Sequence, residues 1–153
     1  MVFGSVLQPG TPWSKEGVVS PDLELSLPAR AENVAVVRHA LGGLSDACGV
    51  SASTLADIKL AVTEACTNVV VHAYPDGEGA MGVTAELHDG TVELVVFDEG
   101  RGISPRPDSP GLGLGLPLIA TLAESLELGA ANGHGSEVRM SFRLGDQPAE
   151  NAA

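Results

Sequence analysis

The chain has 153 residues, 44% apolar and only 3% aromatic, which suits one compact domain with an aliphatic core and excludes disorder throughout. Twenty acidic residues against eight basic ones leave a net charge of −12, a field that repels nucleic acid and anionic membranes. Two cysteines without metal or redox spacing, no basic-then-apolar leader and no apolar run near the roughly 20 residues that span a bilayer point to a soluble, cytoplasmic protein.

Residues 1–20, with Pro9, Gly10, Pro12 and Ser14, read as a flexible arm, residues 21–145 as a single domain, and residues 146–153 as a polar tail. "DLELSLPAR" alternates like a strand and stops at Pro28, and "AENVAVVRHALGGL" has helical periodicity that frays at Gly42 and Gly43. "STLADIKLAVTEACTNVVVHAY" is a second helix, with Ser51 and Ser53 as cap candidates and a core stripe of Leu55, Ile58, Val62, Ala65 and Val69. Two alternating runs around Asp89-Gly90 form a hairpin, since that dipeptide suits a tight turn with positive φ. The Gly/Pro-rich loop "GRGISPRPDSPGLGLG" leads to a helix "LPLIATLAESLEL", and "ESLELGAANGHGSEVRMSFRL" supplies two last strands. The order β-α-α-β-β-loop-α-β-β predicts an α+β fold, a two-layer α/β sandwich whose mixed, mostly antiparallel sheet carries helices on one face.

Three stretches carry chemistry. Glu64 is the only charged residue between Lys59 and Asp76, and Glu64, Asn68 and His72 stand four apart, a polar ridge beside the core stripe. A ridge this short of charge reads less as a solvated face than as the half-buried wall of a cleft. Base work by the carboxylate, metal coordination by the amide oxygen and a plain polar network all remain open. His72, near a helix end, reads first as a hydrogen-bonded structural residue, and His39, His88 and His134 are too scattered for a zinc site.

"VVFDEGRGI" ends an apolar strand on Asp98, with Gly100 and Gly102 next; a carboxylate there is a natural acceptor for an amino group on a base, although D-x-G-x-G alone is often just a turn. "PGLGLGLPLIATL" puts Gly111, Gly113 and Gly115 before a helix, where free amides form an anion site without a cationic side chain. It is neither the dinucleotide fingerprint nor a P-loop.

In this order, the three stretches resemble the nucleotide-binding boxes of the histidine-kinase-like ATPase superfamily, over about residues 22 to 144. The E-A-C-T-N…H-A-Y form, with no attached phosphotransfer helix, is most similar to the anti-sigma-factor serine kinases. Those bacterial regulators bind a sigma factor and phosphorylate a serine on an antagonist protein. The resemblance implies ATP and Mg²⁺, a sigma factor and an antagonist as partners, and a homodimer. It implies Glu64 as general base, Asn68 as the Mg²⁺ ligand, and Asp98 as acceptor of the adenine amino group, with Gly100 and Gly102 wrapping the base. Gly113, Leu114 and Gly115 would present amides to the phosphates, and Ser136 would sit near the adenine.

The loop after Ile103 is shorter and richer in proline than family lids, and no basic residue precedes the Gly pair, leaving Arg101 and Arg106 as nearby cations and Arg106 as a candidate γ-phosphate contact. Those departures keep a second reading in view, a partner-switching module that sequesters a regulator without phosphoryl transfer.

Overall fold

A computed structural model describes residues 21–102, 110–131 and 134–144. The arm and tail lie outside the described residues, as does Arg106 with the short lid around it. Strand β1 (Leu23–Pro28) leads into helices α1 (Ala31–Cys48) and α2 (Ala52–Asn68), then the hairpin β2 (Ala80–His88) and β3 (Thr91–Asp98), helix α3 (Pro110–Leu122), and strands β4 (Ser125–Ala131) and β5 (His134–Arg143). The strand order is β1-β2-β3-β5-β4, and all four pairings are antiparallel, so the expected mixed sheet is antiparallel throughout among the described residues.

Local chemistry explains most of these elements. Ser51 caps α2, its hydroxyl accepting from the Thr54 N–H at 3.2 Å. Asp89 and Gly90 take φ of 55° and 75°, the left-handed pair that a two-residue hairpin needs. Helix α1 does not fray at Gly42-Gly43 but runs on to Cys48 and stops at Gly49. Val37, Leu41 and Ser45 are buried at four-residue steps, and that packing outweighs a glycine cost of about 1 kcal/mol each.

The core lies between the helices and one sheet face, where Met81, Val83, Leu94, Val96 and Met140 meet Ile58, Val62, Ala65, Cys66 and Ile119. Leu55 is only half-buried at the edge of the expected stripe. Burial pushes the Cys66 thiol up to about 12, so almost no thiolate exists near neutral pH, whereas Cys48 is exposed. Iodoacetamide should therefore alkylate Cys48 in the folded protein and reach Cys66 only after unfolding. Two adducts on the folded protein, seen by mass spectrometry, would contradict this packing.

Past Asn68 the helix widens into a π-turn, Val69–Ala73. The expected helix from residue 116 is displaced as well: α3 starts at Pro110 and ends at Leu122, and residues from Ser125 join the sheet.

Candidate functional site

One pocket gathers residues of α2, the π-turn, the end of β3 with the loop after it, and β5. Asn68 and Ala65 of α2, His72 of the π-turn, Asp98 at the end of β3, Gly102 and Ser136 of β5 line it together. The sheet makes this possible, because β3 and β5 are neighbours and Asp98 stands directly opposite Ser136. Residues 38 positions apart thereby share one wall.

Asp98 is 3% exposed, and its carboxylate is fixed from two sides. Gly100 N–H donates to Oδ1 at 2.8 Å, and the Ser136 hydroxyl donates to Oδ2 over a short contact. Each oxygen keeps a second lone pair, so the group can still accept from a ligand amino group. Opposite it, Asn68 Nδ2 and His72 Nε2 are buried and have no hydrogen-bond partner among the described residues. Leaving such a nitrogen unpaired costs about 1–3 kcal/mol, and two of them on one wall are what a polar ligand would satisfy.

The Glu64 carboxylate is half-buried beside Asn68 on the ridge, and no side chain among the described residues engages it. Helix α3 crosses closely here: a Cβ on Gly115 would lie 3.1 Å from Asn68 Nδ2 and 3.5 Å from Glu64 Oε1. Gly113, Leu114 and Gly115 fall inside α3 rather than ahead of it. A helix leaves free only the amides of its first turn, so this boundary moves the available donors upstream of Gly115. What Gly115 contributes is room for α3 beside the two polar side chains.

The glycine loop after Asp98 answers to the protein's own backbone as much as to a ligand. A Cβ on Gly100 would come within 2.1 Å of the Ala73 carbonyl oxygen. The π-turn and the loop are further tied by Arg101, whose N–H donates to Ala73 O at 3.0 Å and whose Nε donates to His72 O at 3.0 Å. Arg101 thus caps the carbonyl end of the turn. Tyr74 completes the seam: its hydroxyl donates to Ala80 O at 2.6 Å and accepts from Glu99 N–H at 2.9 Å. Burial, followed by the Asp98 and Glu99 charges, raises the phenol's pKa and keeps it a donor.

Tyr74 and Gly135 escaped the sequence reading. Gly135 sits at φ 73°, and a Cβ there would meet the Asp98 carbonyl oxygen at 2.1 Å. The available signal was its position, a glycine immediately before Ser136. His88, set aside for its sequence distance from other histidines, meets Glu86 and Glu93 on the helix-free sheet face, their ligand atoms within 4.8 Å of one another. Arg139 already pairs with Glu93 at 3.2 Å. No helix among the described residues is long and apolar enough to cross a membrane.

Similarity to known proteins falls on the same region. A family model described as the histidine kinase-like ATPase domain matches residues 27–142. The serine-protein kinase RsbW of Halalkalibacterium halodurans is 38% identical over 121 residues, covering 69% of this chain and 74% of the relative. The serine-protein kinase RsbW of Bacillus thuringiensis strain Al Hakam is 31% identical over 144 residues, covering 84% and 89%. Among solved structures, the RsbU and RsbW domains of Rv1364c from Mycobacterium tuberculosis align with a TM-score of 0.63 at 26% identity over 82% of this chain. This chain spans 33% of that larger one.

Proposed function

Because this chain belongs to the histidine kinase-like ATPase domain family, we propose that it is an ATP-binding anti-sigma-factor regulator that phosphorylates a serine of an antagonist protein. The observation that carries the reading is the buried Asp98 carboxylate facing, across one pocket, two nitrogens with no partner among the described residues. The names of the RsbW relatives support the reaction class. A sigma factor and the antagonist are the partners in this reading, the working form is a homodimer, and such partners place the protein in the cytoplasm.

In the reaction, the serine oxygen forms a bond to the γ-phosphorus of ATP as the bond to the β–γ bridging oxygen breaks, and ADP leaves. Glu64 takes the proton from the attacking hydroxyl. Asp98 accepts from the adenine amino group and sets the register of the base, with Ser136 and the Gly100 N–H holding the carboxylate in place. The Asn68 amide oxygen would hold Mg²⁺, which neutralises phosphate charge when bound; the unpartnered Nδ2 beside it donates to a phosphate oxygen. Most of the rate in such a site comes from positioning and charge, so few reactive side chains suffice.

Calorimetric titration with ATP and Mg²⁺, beside an Asp98→Asn variant, tests the site. Loss of the charged hydrogen bond is expected to cost about 1.5–3 kcal/mol, roughly ten- to a hundredfold or more in affinity. Equal affinities would remove Asp98 from the base contact. No wild-type binding at millimolar ATP would favour the partner-switching module that sequesters its target without transfer.

A further inference from the structure

We infer that His72 reads the nucleotide base, with its Nε2–H donating to the ring nitrogen beside the adenine amino group; this rests on the ATP reading above. The imidazole lines the same pocket as Asp98, Gly102 and Ser136, and its Nε2 is buried without a partner among the described residues. Its backbone is tied to the glycine loop on the carbonyl side. The His72 carbonyl accepts from Arg101 Nε, and the next carbonyl, that of Ala73, accepts from the Arg101 N–H.

Position along the ridge decides which part of the nucleotide the ring meets. Glu64 and Asn68 stand beside Gly115 of α3, at the phosphate end, and His72 lies one turn further from them, on the side of Asp98 and the glycine loop. At that end the ligand presents an amino group flanked by two ring nitrogens, N1 and N7. Asp98 offers an acceptor for the amino group, and a neutral imidazole protonated on Nε2 offers the matching donor for a flanking acceptor. The pair forms a two-point reading of adenine. Guanine would turn a carbonyl oxygen toward the Asp98 carboxylate, and where His72 meets N1 the guanine N1–H would face a second donor. An unpaired buried donor is costly, so rejection of the wrong base exceeds what one gained hydrogen bond supplies.

The experiment is calorimetric titration of ATP, 7-deaza-ATP and 1-deaza-ATP into wild type, His72→Leu, His72→Asn and Asp98→Asn, each checked for an unchanged melting temperature. The expected result is about three- to tenfold weaker ATP binding in His72→Leu, with part of it recovered in His72→Asn, which keeps a donor. One deaza analogue should bind wild type as weakly as ATP binds His72→Leu, and should lose nothing further in that variant; which analogue does so names the nitrogen. ATP binding within twofold of wild type in His72→Leu, while Asp98→Asn loses it, overturns the inference and leaves the nucleotide site standing. Additive losses for both analogues overturn it too, because they reduce the ring to packing. Absence of wild-type ATP binding overturns the parent reading.

Discussion

Glu64→Gln should lower phosphoryl transfer by about 10²–10⁴-fold while Mg-ATP binds as well as before or slightly better. The amide has the shape of the carboxylate and still fits beside α3, where Gly115 leaves the space, but it has no basic lone pair to take the hydroxyl proton. Removing one negative charge near a polyphosphate also relieves repulsion, which accounts for the direction of the binding change. The measurement is single-turnover transfer of labelled γ-phosphate to the antagonist, paired with an ATP titration. Labelling at the wild-type rate would show that this carboxylate is not the base. Loss of ATP binding would instead make Glu64 part of the nucleotide's seat.

Gly135→Ala is expected to cost about 3 kcal/mol of folding stability or more, read as a fall of roughly 10 °C in Tm. Two effects add: φ of 73° is strained for any side chain, and the new methyl group would sit 2.1 Å from the Asp98 carbonyl oxygen and 2.8 Å from Glu99 Cα. Both neighbours are backbone, so relief requires β5 and the end of β3 to part. That displacement takes Ser136 away from Asp98, and ATP affinity should fall with stability. Gly129→Ala, where nothing lies within 4 Å of the added carbon, serves as the control and should be close to neutral. Equal Tm changes for the two variants would mean that the turn before Ser136 yields without disturbing the site.

Much of the fold could be read from residues whose chemistry is local. The hairpin follows from Asp89-Gly90, the start of α2 from Ser51, and the strand end at Asp98 from an apolar run meeting glycine. Errors arose where distant packing overrules a local cue. Gly42 and Gly43 look like a helix end, yet Leu41 and Ser45 are buried on either side and the helix continues. Pro110 and the glycines after it look like loop, yet α3 begins there because it packs along α2. The pairing of Asp98 with Ser136 depends on β5 lying between β3 and β4, and no spacing along the chain encodes that order. For the same reason Gly135 shows only its place before Ser136 in the sequence: its requirement comes from a carbonyl on another strand.

The four-residue spacing of the ridge presumes a regular helix, and the π-turn from Val69 to Ala73 breaks that spacing before it reaches His72. A turn closed by i→i+5 bonds holds one residue more than an α-helical turn. In genetic terms the feature is a single extra codon. Loss of one, such as that for the 60%-exposed Val71, would let the segment close as ordinary helix and bring His72 from the fourth to the third place after Asn68. The shorter link would draw the imidazole toward Asn68 and pull Tyr74 back from its place between Ala80 and Glu99. A shortening by one residue between Asn68 and Tyr74 is therefore a heavier change than any substitution among the three valines there, and alignments that shift a gap into this segment would misassign the histidine.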